Sequence, residues 1–159
     1  MLNIQVAGIY SQSFPQTFLT ESPRVRYSSR MPGPLILVVD DERDFRAIVS
    51  HVLERGGYDV VTAVDGMEGL RMFSEREPDL VVLDGHLPDI DGFEVCRRLR
   101  ALPGGKDVPV LLCTVRSALS TVAAGFEAGA TGYVLKPFEM EELLESVAAA
   151  LKKRARPEK

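Results

Sequence analysis

Leu35-Ile36-Leu37-Val38-Val39-Asp40-Asp41 sets five aliphatic residues directly before two carboxylates. A strand with one wet face alternates apolar and polar side chains, whereas an unbroken Val, Leu and Ile run fits a parallel strand buried on both faces. The two acids then put polar groups where that strand leaves the core. Four more short runs follow, at Asp59–Ala63, Leu80–Leu83, Val108–Cys113 and Gly132–Leu135.

The intervening segments have helical period. Phe45, Ile48, Val49, Val52 and Leu53 recur at spacings of three and four, forming one apolar stripe, and Gly56-Gly57 supplies a stop. Asp65 with Glu68 three residues on has the form of a capping box opening a second helix. The pattern predicts a third helix over about Gly92–Leu102, closed by Pro103-Gly104-Gly105, and a fourth over roughly Ala118–Ala128. Met140, Leu143, Leu144, Val147 and Leu151 form the stripe of a fifth. Five successive strand–helix units predict an α/β fold, a doubly wound five-stranded parallel sheet with helices on both faces.

The chain has 159 residues, 45% of them hydrophobic and 26% charged, which suits one domain with a buried core. No apolar run approaches the roughly 18 residues of a membrane span, so no membrane insertion is expected. Met1-Leu2-Asn3-Ile4 lacks the basic start of a secretory signal. Cys96 and Cys113 are the only cysteines, which argues against a disulfide scaffold and for a cytoplasmic protein with two small core fillers. His51 reads as an ordinary surface histidine.

Residues 1–30 hold ten Ser, Thr or Gln with breaks at Pro15 and Pro23. Residues 1–33 therefore read as an N-terminal extension, either loosely packed or a gene-model artefact with Met31 as the natural start. Residues 34–151 form the expected domain and 152–159 a short basic tail. Charge divides accordingly: +2 on 1–33, +4 on 152–159, and −10 on the middle of a chain whose total is −4. So acidic a middle repels phosphates, and no direct nucleic-acid contact is expected.

In open α/β sheets ligands bind outside the carboxyl ends of the strands. Here the first run ends in Asp40-Asp41, the third in Asp84, the fourth in Thr114, and the fifth in Lys136-Pro137. One Asp at such a junction is ordinarily a helix cap. Four of five ends carrying groups that bind metal or phosphate make a site.

Leu37-Val38-Val39-Asp40-Asp41-Glu42, Asp84 with Pro88 and Asp91-Gly92, Thr114, and Tyr133-Val134-Leu135-Lys136-Pro137-Phe138 together resemble a response-regulator receiver domain, over about Pro34–Leu151. The resemblance implies a flavodoxin-like sheet of strand order 2-1-3-4-5, which gathers the three acids. Two carboxylates about 5 Å apart repel by roughly 3 kcal/mol at an effective dielectric of about 20, so three invite a cation. All-oxygen ligation suits Mg²⁺. By resemblance, Asp41 and Asp84 ligate the ion directly, Asp40 mostly through water, and the backbone carbonyl of His86 completes the set.

The same resemblance makes Asp84 the acceptor of a phosphoryl group from a sensor histidine kinase or a histidine phosphotransfer domain. Lys136 pairs with Asp84 and later with the phosphoryl group, and Thr114 assists. Thr114 and Tyr133 then switch the face of the fourth helix, fifth strand and fifth helix, which meets a downstream target protein or forms a weak homodimer. The family commonly has the Lys136–Pro137 peptide cis. The chain is expected not to be an enzyme beyond its own phosphorylation and dephosphorylation.

Gly85 and His86 stand where bulkier apolar residues are common in the family. His86 and Arg116 are expected to tune the phosphoryl lifetime, and Val115, larger than is usual there, to narrow access for small donors. An aspartyl-phosphate-forming phosphatase is the alternative from another class, but it needs a carboxylate where His86 stands. A degenerate receiver serving as a scaffold is disfavoured by the complete acid and lysine set. Asp89-Ile90-Asp91-Gly92 lacks the further acids of a calcium loop. Gly105-Lys106 lacks the rest of a phosphate loop, because Arg100 stands where its first glycine belongs.

Overall fold

The computed structural model describes residues 31–115 and 120–155, with the side chains of 120 and 121 excepted. Residues 1–30 of the expected extension, Arg116, and the last four residues of the expected tail lie outside them. Five strands form one parallel sheet: β1 (Leu35–Val39), β2 (Asp59–Ala63), β3 (Leu80–Asp84), β4 (Val110–Val115) and β5 (Gly132–Lys136). The helices between and after them are α1 (Arg43–Arg55), α2 (Gly66–Arg76), α3 (Gly92–Ala101), α4 (Ser120–Glu127) and α5 (Met140–Ala155). Strand order is β2-β1-β3-β4-β5, the flavodoxin-like arrangement.

The two faces of the sheet explain the aliphatic runs. On one face Leu37, Val39, Val81, Leu83 and Leu112 pack with Phe73 of α2 and Val95 and Leu99 of α3. On the other, Ile36, Val38, Val82 and Val134 pack with Val49 and Leu53 of α1 and Leu143 and Val147 of α5. Every residue of β1 after Leu35 is buried, since odd and even positions face separate cores. Cys96 and Cys113 are free and buried within these cores, and His51 is exposed.

The capping box at α2 closes one residue wider than the pattern predicts. Asp65 Oδ1 accepts from the Glu68 amide at 2.8 Å, while Glu68 returns a bond to the amide of Val64 rather than of Asp65. At the other end of the chain, α5 continues past Leu151 through Ala155. Lys152, Lys153 and Arg154 are thus its last turn and not the start of a separate tail. Cations suit a helix carboxyl end, and Arg154 donates to the backbone carbonyl of Asp79 at 2.8 Å and to its carboxylate at 3.1 Å.

Candidate functional site

Register brings the polar strand ends together. Val39 pairs with Leu83, so Asp40 emerges beside Asp84, and Asp84 itself pairs with Cys113 of β4. Thr114 pairs with Leu135 and Val115 with Lys136, which carries the lysine to the same edge. Ligand-capable oxygens of Asp40, Asp41 and Asp84 all lie within 4.8 Å of one another. Asp40 is buried, Asp84 is partly buried and Asp41 is exposed.

Lys136 does not favour the expected partner. Its Nζ donates to Asp40 Oδ2 at 3.0 Å and stands 3.8 Å from Asp84 Oδ2. Burial explains the preference: the Asp40 side chain is 2% exposed against 12% for Asp84, so the charge with less access to water takes the closer cation. The Glu42 amide supplies Asp40 Oδ1 with a second bond at 2.8 Å. Lys136 also lies 4.0 Å from the centroid of the Phe45 ring, a cation–π contact, and that ring meets Phe138 edge-on at 5.9 Å.

These surroundings move two pKa values. Burial pushes the Asp84 carboxyl above the ordinary carboxylate value; the His86 amide, which donates to Oδ1 at 3.1 Å, and the Lys136 charge only partly offset this, while Asp40 and Asp41 add to it. Burial alone would depress the Lys136 ammonium. The bond to Asp40 and the charges of Asp84 and Asp40 reverse the sign and hold it above the usual lysine value. Lys136 therefore stays cationic through the neutral range.

A cluster of three carboxylates in which one is disfavoured as an anion is short of positive charge. Its donors are all oxygen and they converge, so the residues present fit a hard divalent cation such as Mg²⁺.

The loop after Asp84 is tightly built. Gly85 N donates to Cys113 O at 3.0 Å, and Gly92 N donates to Gly85 O at 3.1 Å. A Cβ on Gly92 would overlap the Asp84 carbonyl oxygen, so the turn that brings α3 back over β3 needs glycine at that position. His86 is exposed.

Thr114 is 3% exposed and shares the sheet face of Leu112 and Tyr133. The Tyr133 hydroxyl donates to the Val122 carbonyl of α4 at 2.6 Å, and its ring meets Phe126 edge-on at 5.1 Å. Val115 is 42% exposed and lines an apolar recess of about 390 Å³ with Phe45, Lys136, Pro137, Phe138 and Met140. The Lys136–Pro137 peptide is cis.

Two neighbours of the acid cluster escaped the sequence reading. Phe45 read only as a stripe residue of α1, and Arg46, whose Nη1 donates to the Asp40 carbonyl at 2.7 Å, gave no signal. Both follow the acids closely in sequence, which is the one hint that α1 begins at the site.

Comparison with known proteins gives the family and the fold. Residues 36–148 match the family model for the response regulator receiver domain. The chain is 43% identical over 120 residues to the DNA-binding dual master transcriptional regulator RpaA of a Synechocystis strain, covering 76% of this chain and 50% of that one. Its fold matches the chemotaxis response regulator CheY4 of Vibrio cholerae with a TM-score of 0.71 and 34% identity, over 74% of this chain and 98% of the other. It also matches the receiver domain of the sensor histidine kinase PA1611 of Pseudomonas aeruginosa, which has a magnesium ion coordinated in its active-site cleft. There the TM-score is 0.70 and the identity 28%, over 76% and 98% of the two chains. The chain spans about half the length of the curated relatives it matches.

Proposed function

The chain belongs to the response regulator receiver domain family, and from that premise we propose that Asp84 accepts a phosphoryl group from a phosphohistidine donor. The observation that carries this reading is the convergence of Asp40, Asp41 and Asp84 with Lys136 reaching two of them.

Asp41, Asp84 and the His86 carbonyl would hold Mg²⁺ directly and Asp40 through water. Bound there, the ion supplies positive charge that offsets carboxylate repulsion and draws phosphoryl oxygens. Asp84 is the nucleophile: its oxygen bonds to phosphorus as the bond from phosphorus to the donor imidazole nitrogen breaks, and the imidazole then takes a proton from solvent. The His86 amide on Oδ1 fixes the rotation of the attacking carboxylate. Lys136 and Thr114 act by position and charge, because the transferring group spreads its charge over three oxygens. Water later cleaves the acyl phosphate.

Phosphorylation adds about −1.5 to −2 of charge and three acceptor oxygens beside Thr114 and Lys136. The Thr114 hydroxyl turns toward them, and Tyr133, held on α4 through Val122, follows on the same sheet face. The pair carries the state of Asp84 to the face of α4, β5 and α5, where a target protein or a second copy binds. His86 and Arg116 set the phosphoryl lifetime, and Val115 at the rim of the recess restricts small donors. The chain acts on itself and is not a metabolite phosphatase: His86, with no carboxylate, holds the position two residues after Asp84. Any nucleic-acid contact lies outside residues 34–151, given their charge of −10. No described helix is long and apolar enough to cross a membrane.

Incubation with Mg²⁺ and a phosphohistidine-bearing protein, followed by intact mass, tests the reading. The expected result is a gain of one phosphoryl group by the wild type and none by Asp84→Asn. Equal labelling of both proteins, or sustained turnover of metabolite esters, overturns it.

A further inference from the structure

The loop from Gly85 to Asp91 carries the His86 carbonyl, and its far half is tied to another part of the fold. Asp89 Oδ1 accepts from the Gly66 amide and Oδ2 from the Met67 amide, each at 2.8 Å. These are the first two amides of α2, donors that a helix start leaves without partners inside the helix. Asp89 is exposed, and the little desolvation it has would raise its pKa. The amides of Gly66 and Met67, with those of Ile90 and Asp89 itself, instead bring it below the usual carboxylate value. The clamp is therefore ionised at neutral pH.

Packing repeats what the hydrogen bonds show. A Cβ on Gly66 would stand 2.6 Å from Ile90 Cγ1, 2.7 Å from Val95 Cγ2 and 3.2 Å from Asp89 Oδ1. Ile90 and Asp89 of the loop, together with Val95 of α3, thus lie against the first residue of α2 and leave no room for a side chain there. Asp65 also caps α2, through the Glu68 amide, yet its bonds do not involve this loop.

We infer that Asp89 is a positioning residue, which clamps the loop to α2 and so fixes the backbone that presents the His86 carbonyl to the acid cluster. The inference rests on the proposed function, since it concerns how this chain prepares a metal ligand. Partners that orient metal ligands without touching the ion affect affinity by about 10- to 100-fold. Acting through three residues of backbone, Asp89 belongs at the lower end of that range.

The test compares Asp89→Ala, Asp89→Asn and Asp65→Ala with the wild type, each titrated with Mg²⁺ in a calorimeter. Asp89→Ala should weaken binding about tenfold. Asp89→Asn keeps one acceptor oxygen and should fall between it and the wild type. Asp65→Ala removes a cap from the same helix but leaves the loop clamped, so its affinity should stay within about twofold of the wild type even if its Tm falls. Amide hydrogen exchange of the metal-free proteins should show residues 86–90 faster in Asp89→Ala and unchanged in Asp65→Ala. Wild-type affinity in Asp89→Ala, or equal losses in Asp89→Ala and Asp65→Ala, overturns the inference. If the wild type takes up no Mg²⁺, the proposed function falls and this role falls with it. The exchange comparison then reports only whether Asp89 holds the loop.

Discussion

Lys136 Nζ bonds to Asp40 Oδ2 at 3.0 Å, although Asp40 is not the carboxylate that receives the phosphoryl group in the proposed mechanism. The lysine serves the more deeply buried acid first, and Asp84 keeps a carboxylate less engaged by the cation. A phosphoryl group on Asp84 would compete for the same ammonium with more charge and more acceptor oxygens. The resting pair is therefore both a structural necessity and one pole of the proposed switch.

Lys136→Met should destabilise the domain by about 2–4 kcal/mol, because it strands a buried carboxylate. Pairing it with Asp40→Asn removes the stranded charge, so the double variant should lose less than the sum of the two single losses. Urea denaturation at pH 7 measures this. Strict additivity would show that the 3.0 Å pair carries no energy of its own.

Asp84→Asn should stabilise the metal-free domain. Burial raises the folded pKa of Asp84 above its unfolded value, so the ionised group costs stability above the folded pKa, and the cost vanishes below the unfolded one, about 3.9. In EDTA at pH 7 the variant should melt about 2–5 °C above the wild type, a gap that closes as the pH falls toward 4. Added Mg²⁺ should raise the Tm of the wild type and leave that of Asp84→Asn nearly unmoved.

Gly125 lies under the Tyr133 ring. A Cβ there would overlap the Tyr133 hydroxyl and stand 2.6 Å from its Cζ and 2.9 Å from Leu112 Cδ1. Gly125→Ala should therefore expel the ring from its bond with Val122 and cost about 1–3 kcal/mol, despite alanine's better helix propensity. Adding Tyr133→Ala should recover part of the loss. Thermal melts of the single and double variants check both statements.

Arg100 joins three segments with one side chain. Its guanidinium donates to Gly105 O at 2.6 Å, Val108 O at 2.6 Å and Gly129 O at 2.9 Å, linking α3 to the approaches of β4 and β5. Arg100→Ala should cost about 2–3 kcal/mol by leaving these carbonyls without a charged donor. Arg100→Lys should recover less than half of that, since one ammonium lacks the planar fork that reaches all three. Denaturant midpoints of the two variants give the comparison.

The strands were legible where their apolar runs end on charge. β1 and β2 have the limits the sequence predicts, because Asp40 and Val64-Asp65 mark where each leaves the sheet. β4 begins two residues later than its run suggests. Val108 is buried like a strand residue, but pairing starts with Val110 opposite Val81, and Pro109 contributes only its carbonyl, to Val81 N at 2.9 Å. The same strand runs on to Val115 because Leu135 and Lys136 of β5 pair with its end. A run of side chains reports burial, while strand limits are set by the neighbour.

In the site, the acids and the lysine were legible from their places at strand ends, since the register of a parallel sheet does the gathering. The choice of Lys136 between Asp40 and Asp84 was not, as both are aspartates and only depth of burial separates them. Asp89 and Arg100 were hidden for a related reason. Asp89 binds Gly66, 23 residues away in sequence, and Arg100 reaches Gly129, 29 residues away, and these partners are backbone groups that every residue type but proline, for the amides, supplies.

The central claim is that Asp84, beside Asp40, Asp41 and Lys136, takes the phosphoryl group. The most direct measurement is borohydride reduction of the protein after exposure to a phosphodonor, followed by peptide mass mapping, since reduction converts a phosphorylated aspartate to homoserine. Homoserine at position 84, dependent on Mg²⁺ and lost when EDTA is added before the donor, is the predicted result. Homoserine at another aspartate, or labelling at 84 that is indifferent to Mg²⁺, would contradict it.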